Sequence, residues 1–194
     1  MIPTYQQIEA LHKKYAPDDA LFELVFTHGK VVAEIALWCA NNAKLSVDKN
    51  LLETTCLLHD IGSYIFLSTH TEIRRSYPQH ALFGATILRE EGLDSRISEA
   101  VRTHVLLGLT KAEIKQNDWA LPYKDFLPQS DEDRLLCYAD RFHSKGPTFS
   151  TFDSFYNGLR SDLPNQAEKF KKWSEDFGVP DIAALAKKYG HPVR

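Results

Sequence analysis

Six side chains of this chain have the types and spacing to work together as a chemical centre: His28, the adjacent pair His59 and Asp60, His80, His104 and Asp140. All but His80 occupy helical positions that otherwise call for apolar residues. Burying an unpaired imidazole or carboxylate costs several kcal/mol. A divalent cation removes these penalties together, because it neutralises the carboxylates and engages the imidazole lone pairs. A lone histidine on an apolar helical face more often bonds a backbone carbonyl; here it is the grouping that points to metal. Just after Asp140 come Arg141, His143 and Lys145, cations placed to meet the non-bridging oxygens of a phosphate. A helix C-terminus also favours such cations through its dipole, so Arg141 and Lys145 have a structural reading beside the functional one. His143 has three open roles: reaching a substrate, orienting a ligand or capping the helix end. Arg74 and Arg75, ahead of His80, are further phosphate candidates, whereas Lys30 points away from the ligand face.

The elements that position these residues are helices. Thr4 or Pro3 opens a helix through Tyr15, and Asp18 or Asp19 caps a longer one on which Leu21, Val25, His28, Val32, Ile35 and Cys39 recur at helical spacing. A third helix starts near Ser46 and ends at Gly62 in a left-handed cap, which puts His59 and Asp60 at its end. The polar stretch 63–78 reads as a loop or broken helix. Pro78 then opens a helix over 79–91 with His80 in its first turn. A fifth helix runs from Asp94 or Ser95 through Leu107 with His104 on its apolar side. Thr110-Lys111-Ala112-Glu113 is a capping box. The same signature, Ser130 to Asp133, starts the helix that carries Asp140, and 164–177 and 180–189 give two more. The aromatics Phe149, Phe152, Phe155 and Tyr156 read as core more readily than as the lining of a pocket. No convincing alternating strand is present, so the class is all-α, with about seven or eight helices.

The ordered set of a histidine on one helix, Leu57-Leu58-His59-Asp60-Ile61-Gly62 at the end of the next, and Tyr138-Ala139-Asp140-Arg141 far downstream resembles the HD superfamily of metal-dependent phosphohydrolases. The resemblance implies an HD-domain-like helical bundle with a metal-binding core over about 20–145. Helices 4–15 and 164–189 flank that core, and 1–194 reads as one domain. It further implies that His28, His59, Asp60 and Asp140 are metal ligands. His80 and His104 resemble the extra ligands of dinuclear relatives, in which Asp60 would bridge two cations. Two cations ~3.5–4 Å apart bind and acidify a water and clamp a phosphoryl group. The implied reaction is hydrolysis of a nucleotide, dinucleotide or phosphate ester, with Asp60, Arg141 and Lys145 as catalytic residues. The cofactors it implies are divalent metal ions, two of them, with iron, manganese or a similar cation suited to mixed imidazole and carboxylate ligands. A diiron oxygenase and a non-catalytic nucleotide sensor use the same ligand set and are the alternatives.

Composition is consistent with this reading. The chain has 194 residues, 43% of them hydrophobic, enough for one sizeable core. A formal net charge of -3 offers no broad attraction for nucleic acid polymers or anionic membranes, so an anionic partner must be held locally. The expected partner is a small phosphorylated molecule, and a homodimer is compatible with the flanking helices. No targeting segment or membrane span is legible, which places the expected location in the cytoplasm. Cys39, Cys56 and Cys137 lie in apolar runs and read as reduced core residues. His12, His70 and His191 read as surface or loop residues.

Overall fold

Polar caps set the starts of most helices. The structure, a computed structural model, describes residues 1–69 and 76–194, with side chains described for 1–66 and 76–194. Helix α1 (Tyr5–Tyr15) opens on a capping box in which Thr4 and Gln7 satisfy each other's backbone N–H groups. Asp18 and Asp48 accept from the first turns of α2 (Asp19–Asn42) and α3 (Lys49–Leu58). Helix α4 (Ser63–Thr69) follows, then a 3₁₀ turn at Tyr77–Gln79 leading into α5 (His80–Glu90). Asp94 caps α6 (Ser95–Thr103), Thr110 caps the short α7 (Lys111–Gln116), and Ser130 caps α8 (Asp131–Ala139).

After α8 the chain makes a 3₁₀ turn and a minimal antiparallel ribbon, β1 (His143–Ser144) with β2 (Thr148–Phe149), pairing His143 with Phe149. Helices α9 (Phe152–Asp162), α10 (Pro164–Phe177) and α11 (Ile182–Tyr189) complete the chain. The architecture is the expected all-α bundle. The short α7 follows the Thr110 capping box as expected, α4 occupies the start of the stretch read as a loop or broken helix, and α9, which falls in the aromatic stretch, adds to the helices read from sequence.

Helix α2 is the axis of the bundle, packing against α3 and α8, and it buries Val25, Val32, Ile35, Ala36 and Cys39. All three cysteines are buried and unbridged, and burial pushes the Cys39 and Cys137 thiols up to about 12, so they stay protonated and inert. A second, smaller cluster of Leu109, Ile114, Leu121 and Phe126 lies under the segment that follows α6.

Three expectations change. His12 is fully buried: its ring bonds the Tyr64 hydroxyl at 2.7 Å and the Leu57 carbonyl at 2.9 Å, tying α1 to α3 and α4. Gly62 has no left-handed backbone; it is needed because a Cβ there would lie 2.1 Å from the His80 carbonyl oxygen and 2.3 Å from the Gly84 nitrogen. Helix α6 stops at Thr103 rather than Leu107, since Leu106 takes φ 53. Arg74, Arg75 and His70 lie outside the described residues. Among those described, no helix is long and apolar enough to cross a membrane.

Candidate metal centre

Each ligand candidate is delivered by a helix or helix end, and close backbone packing brings the deliverers together. A Cβ at Gly29 would meet the Leu57 carbonyl oxygen at 2.8 Å, so the absence of a side chain there lets α2 lie directly on α3 and sets His28 beside His59. The Gly62 contact does the same for the turn carrying Asp60 and the start of α5 carrying His80. Gly84 leaves room for the Val101 side chain and the Gly62 backbone, which a Cβ there would meet at 3.0 and 3.3 Å. His59, His104 and Asp140 are the C-caps of α3, α6 and α8, where helical carbonyls end and side chains can turn inward.

The six side chains form two groups that share one residue: His28, His59, Asp60 and Asp140 in the first, Asp60, His80 and His104 in the second. In the first group the Nε2 atoms of His28 and His59 are 3.2 Å apart, and each lies 3.2 Å from Oδ2 of Asp60. They lie 2.9 and 3.5 Å from Oδ1 of Asp140. In the second, Nε2 of His80 and of His104 are 3.0 Å apart and face the other Asp60 oxygen, Oδ1, at 3.2 and 3.7 Å. Asp60 therefore turns one oxygen to each group.

The donor set fits divalent cations. His59, His80 and His104 all donate Nδ1–H to the carbonyl three residues earlier, on Cys56, Tyr77 and Val101, which leaves every Nε2 as a bare lone pair. Two lone pairs facing each other at 3.0 Å repel unless a cation or proton lies between them. Ligands about 2.1 Å from a common ion and disposed at right angles or tetrahedrally are about 3.0–3.4 Å apart, and the donor atoms here lie 2.9–3.7 Å apart. Burial pushes the His28 and His104 imidazoles down to about 3 and lowers His80 as well, so all three are neutral at physiological pH, as coordination requires. Burial alone would raise Asp60, but the Lys145 ammonium beside it holds its carboxyl well below the usual range.

His28 is oriented differently from the other histidines. Its Nδ1 meets Nδ1 of His143 at 2.9 Å, and Nε2 of His143 meets Nδ1 of His191 at 3.0 Å. With Nε2 of His28 free for a ligand bond, its Nδ1–H donates to His143, which then donates from Nε2 to His191. Of the roles open to His143, the geometry supports that of orienting a ligand. His191, read from the sequence as a surface or loop residue, is half-buried against His143; no local signal marked it, because the two lie 48 residues apart.

The cationic residues sit against the carboxylates. Lys145 pairs with Oδ2 of Asp60 and Arg141 with Oδ2 of Asp140. Burial lowers the Lys145 ammonium, but Asp60 and Tyr77 more than offset this and hold it above its ordinary value. Both residues, with His28, His80, His104 and Asp140, line one cleft of 790 Å³. Tyr77, stacked on His80 with ring centroids 4.4 Å apart, lines it too.

This bundle, with paired histidine and aspartate groups at one cleft, defines an HD-type helical domain. The HD domain model matches residues 25–145, and the chain belongs to this family, within the HD superfamily of metal-dependent phosphohydrolases. It is 30% identical over 172 residues to a tRNA (cytidine(56)-2'-O)-methyltransferase of Thermoplasma volcanium, a match covering 89% of this chain and 46% of that one. It is 34% identical over 121 residues to an uncharacterized protein of Methanocaldococcus jannaschii, covering 61% and 65% of the two chains. The chain thus spans about half the length of the methyltransferase it matches. Among solved structures, the HD domain of the L. monocytogenes phosphodiesterase PgpH in complex with cyclic-di-AMP superposes with a TM-score of 0.57. At 18% identity, covering 96% of this chain and 99% of that one, this likeness is one of fold.

Proposed function

We propose that this protein is a metal-dependent phosphohydrolase acting on a small phosphorylated substrate, a nucleotide, dinucleotide or phosphate ester, with a dinuclear metal centre. The observation that carries the reading is Asp60, whose two oxygens face two separate histidine groups while Lys145 and Arg141 flank the same cleft. His28, His59, Asp60 and Asp140 would hold one cation; Asp60, His80 and His104 would hold the other. Such a pair supplies Lewis acidity and an acidified water for in-line displacement at phosphorus.

The chain's own residues do the rest. Lys145 and Arg141 are donors that a phosphoryl group entering the cleft recruits to its non-bridging oxygens, and a Lys145 held protonated stays a cation throughout. The carbonyl bonds to Nδ1 of His59, His80 and His104 keep each imidazole in one tautomer and one orientation, so little reorganisation is needed on binding. The activity named for the methyltransferase relatives is not carried over, because the match covers less than half of the Thermoplasma volcanium chain.

The test is elemental analysis of protein purified without chelators or affinity metal, beside a His80→Ala/His104→Ala double variant, with both assayed for phosphate release. About two metal equivalents in the parent and about one in the variant, with hydrolysis lost alongside, is the expected result. One equivalent in both would overturn the dinuclear reading. Hydrolysis that persists anaerobically with manganese separates this activity from a diiron oxygenase.

A further inference from the structure

The cleft over the candidate metal centre is far larger than a phosphate needs. Its 790 Å³ is in the range of sites that enclose whole small-molecule ligands, about 300–1,000 Å³. Its lining holds the ligand candidates with Arg141 and Lys145 and, beside them, the apolar Val105, Leu106, Trp119, Phe155 and Leu163, interspersed with Asn117, Asp118 and Asp162. The two parts are continuous, because the Arg141 guanidinium, paired with Asp140, also lies 5.8 Å from the centroid of the Phe155 ring.

The apolar wall is built deliberately. Val105, Leu106 and Trp119 are the partly buried cover of the Leu109–Ile114–Leu121–Phe126 cluster, which supports them from beneath. Leu106 is held at φ 53, a left-handed conformation that a bulky residue rarely adopts. Its neighbours are pinned from α10: the buried Gln166 accepts from Leu107 N–H at 3.1 Å and donates to the Gly108 carbonyl at 2.9 Å, and Lys169 donates to the Leu107 carbonyl at 2.9 Å. Trp119 is placed by the turn that ends α7, where Trp119 N–H bonds the Ile114 carbonyl at 3.1 Å and Asp118 takes φ 50. Among the described residues, Lys44, Leu106 and Asp118 are the non-glycine positions with positive φ, and two of these three line the cleft. Backbone in such conformations persists where surrounding structure over-determines it, and it clusters at ligand sites.

We propose that Leu106 and Trp119 form a subsite for a planar heteroaromatic ring whose attached phosphoryl group lies at the metal end, so that ring-bearing phosphate esters of the nucleotide type are preferred over ring-free ones. The inference rests on the hydrolase reading for the phosphoryl end, but the ring subsite is tested separately. An indole face stacks on any base without reading its edge, so the subsite selects for a ring rather than for one base.

The experiment measures calorimetric binding of the four common nucleoside 5′-monophosphates and of glycerol 3-phosphate to the metal-loaded protein. It is repeated for Trp119→Ala, Trp119→Phe, Leu106→Ala and Leu106→Gly, with melting temperature and metal content followed for each. Nucleotides are expected to bind at least about fivefold more tightly than glycerol phosphate, the lower end of what stacking one base contributes. Trp119→Ala and Leu106→Ala should erase that preference while leaving glycerol phosphate binding and metal content unchanged, and Trp119→Phe should keep it. Leu106→Gly, which relieves the left-handed backbone, keeps the test usable if Leu106→Ala folds poorly. Equal affinity for both ligand types, or equal weakening of both by Trp119→Ala, overturns the subsite. Ring-selective binding without hydrolysis of either ester would sink the hydrolase reading and leave the subsite standing; hydrolysis of both without ring preference would do the reverse.

Discussion

The candidate metal end of the cleft and its apolar wall are built by opposite means. At the metal end, His59, His80 and His104 each bond a carbonyl three residues earlier in the same chain segment, so their orientation is local. The wall is held from a distance: Leu107 and Gly108 are fixed by Gln166 and Lys169, which are 58 to 62 residues away. Local bonds re-form whenever the helix forms, whereas distant ones depend on the whole bundle. The contrast implies that the chemistry is the robust part of this site and that its selectivity is the adjustable part.

The sharpest way to break that contrast is at the residue common to both ligand groups. Asp60→Asn keeps the volume of Asp60 but removes the charge facing four imidazoles and Lys145. Activity is expected to fall by more than the ~100-fold at the upper end for residues one shell further out, with metal content falling in parallel. His143→Ala tests His28, the candidate ligand whose imidazole is oriented from a distance. Without its partner at 2.9 Å, His28 should lose ~10–100-fold in metal affinity, read by competition with a chelator, while the fold is retained.

Stability should respond beneath the metal end as well. Burial pushes His12 down from 6.5 to about 4, so the unfolded chain binds the extra proton first as pH falls. The contribution of neutral His12 is intact above about pH 6.5 and is lost as pH drops toward 4, a loss of about 3 kcal/mol. Urea unfolding at pH 7 and pH 4 should show that excess loss in the parent relative to His12→Gln, which does not titrate. Equal losses would mean that His12 is protonated in the fold. The smallest effect is expected at the wall. Gln166→Leu leaves the Leu107 N–H and Gly108 carbonyl without their partner and should cost about 1–3 kcal/mol in the same assay, with metal content unchanged. A loss of metal there would show that the two ends are not independent.

The helix starts were legible because capping is a short-range property: Thr4, Asp18, Asp48, Thr110 and Ser130 accept from the first turns of their own helices. Five of the six ligand candidates were legible because charged and imidazole groups on apolar stripes need a common partner; His80 was legible only through the family resemblance. The His12 role and the reasons for Gly29, Gly62 and Gly84 were not, since each is a contact between elements. Leu106 broke the expected helix because the loop that follows His104 is held by α10 rather than by its own periodicity.

Local chemistry along the chain was therefore sufficient to determine the helical class, the caps and the types of residue at the centre. Only the packed bundle decided that the oxygens of Asp60 divide between two histidine groups, that His143 and His191 stand behind His28, and that an apolar wall shares the cleft. The reason is physical. A cap or an amphipathic stripe is satisfied within one or two turns, but a lone pair has direction, and where it points is set by which backbones approach closely enough to meet.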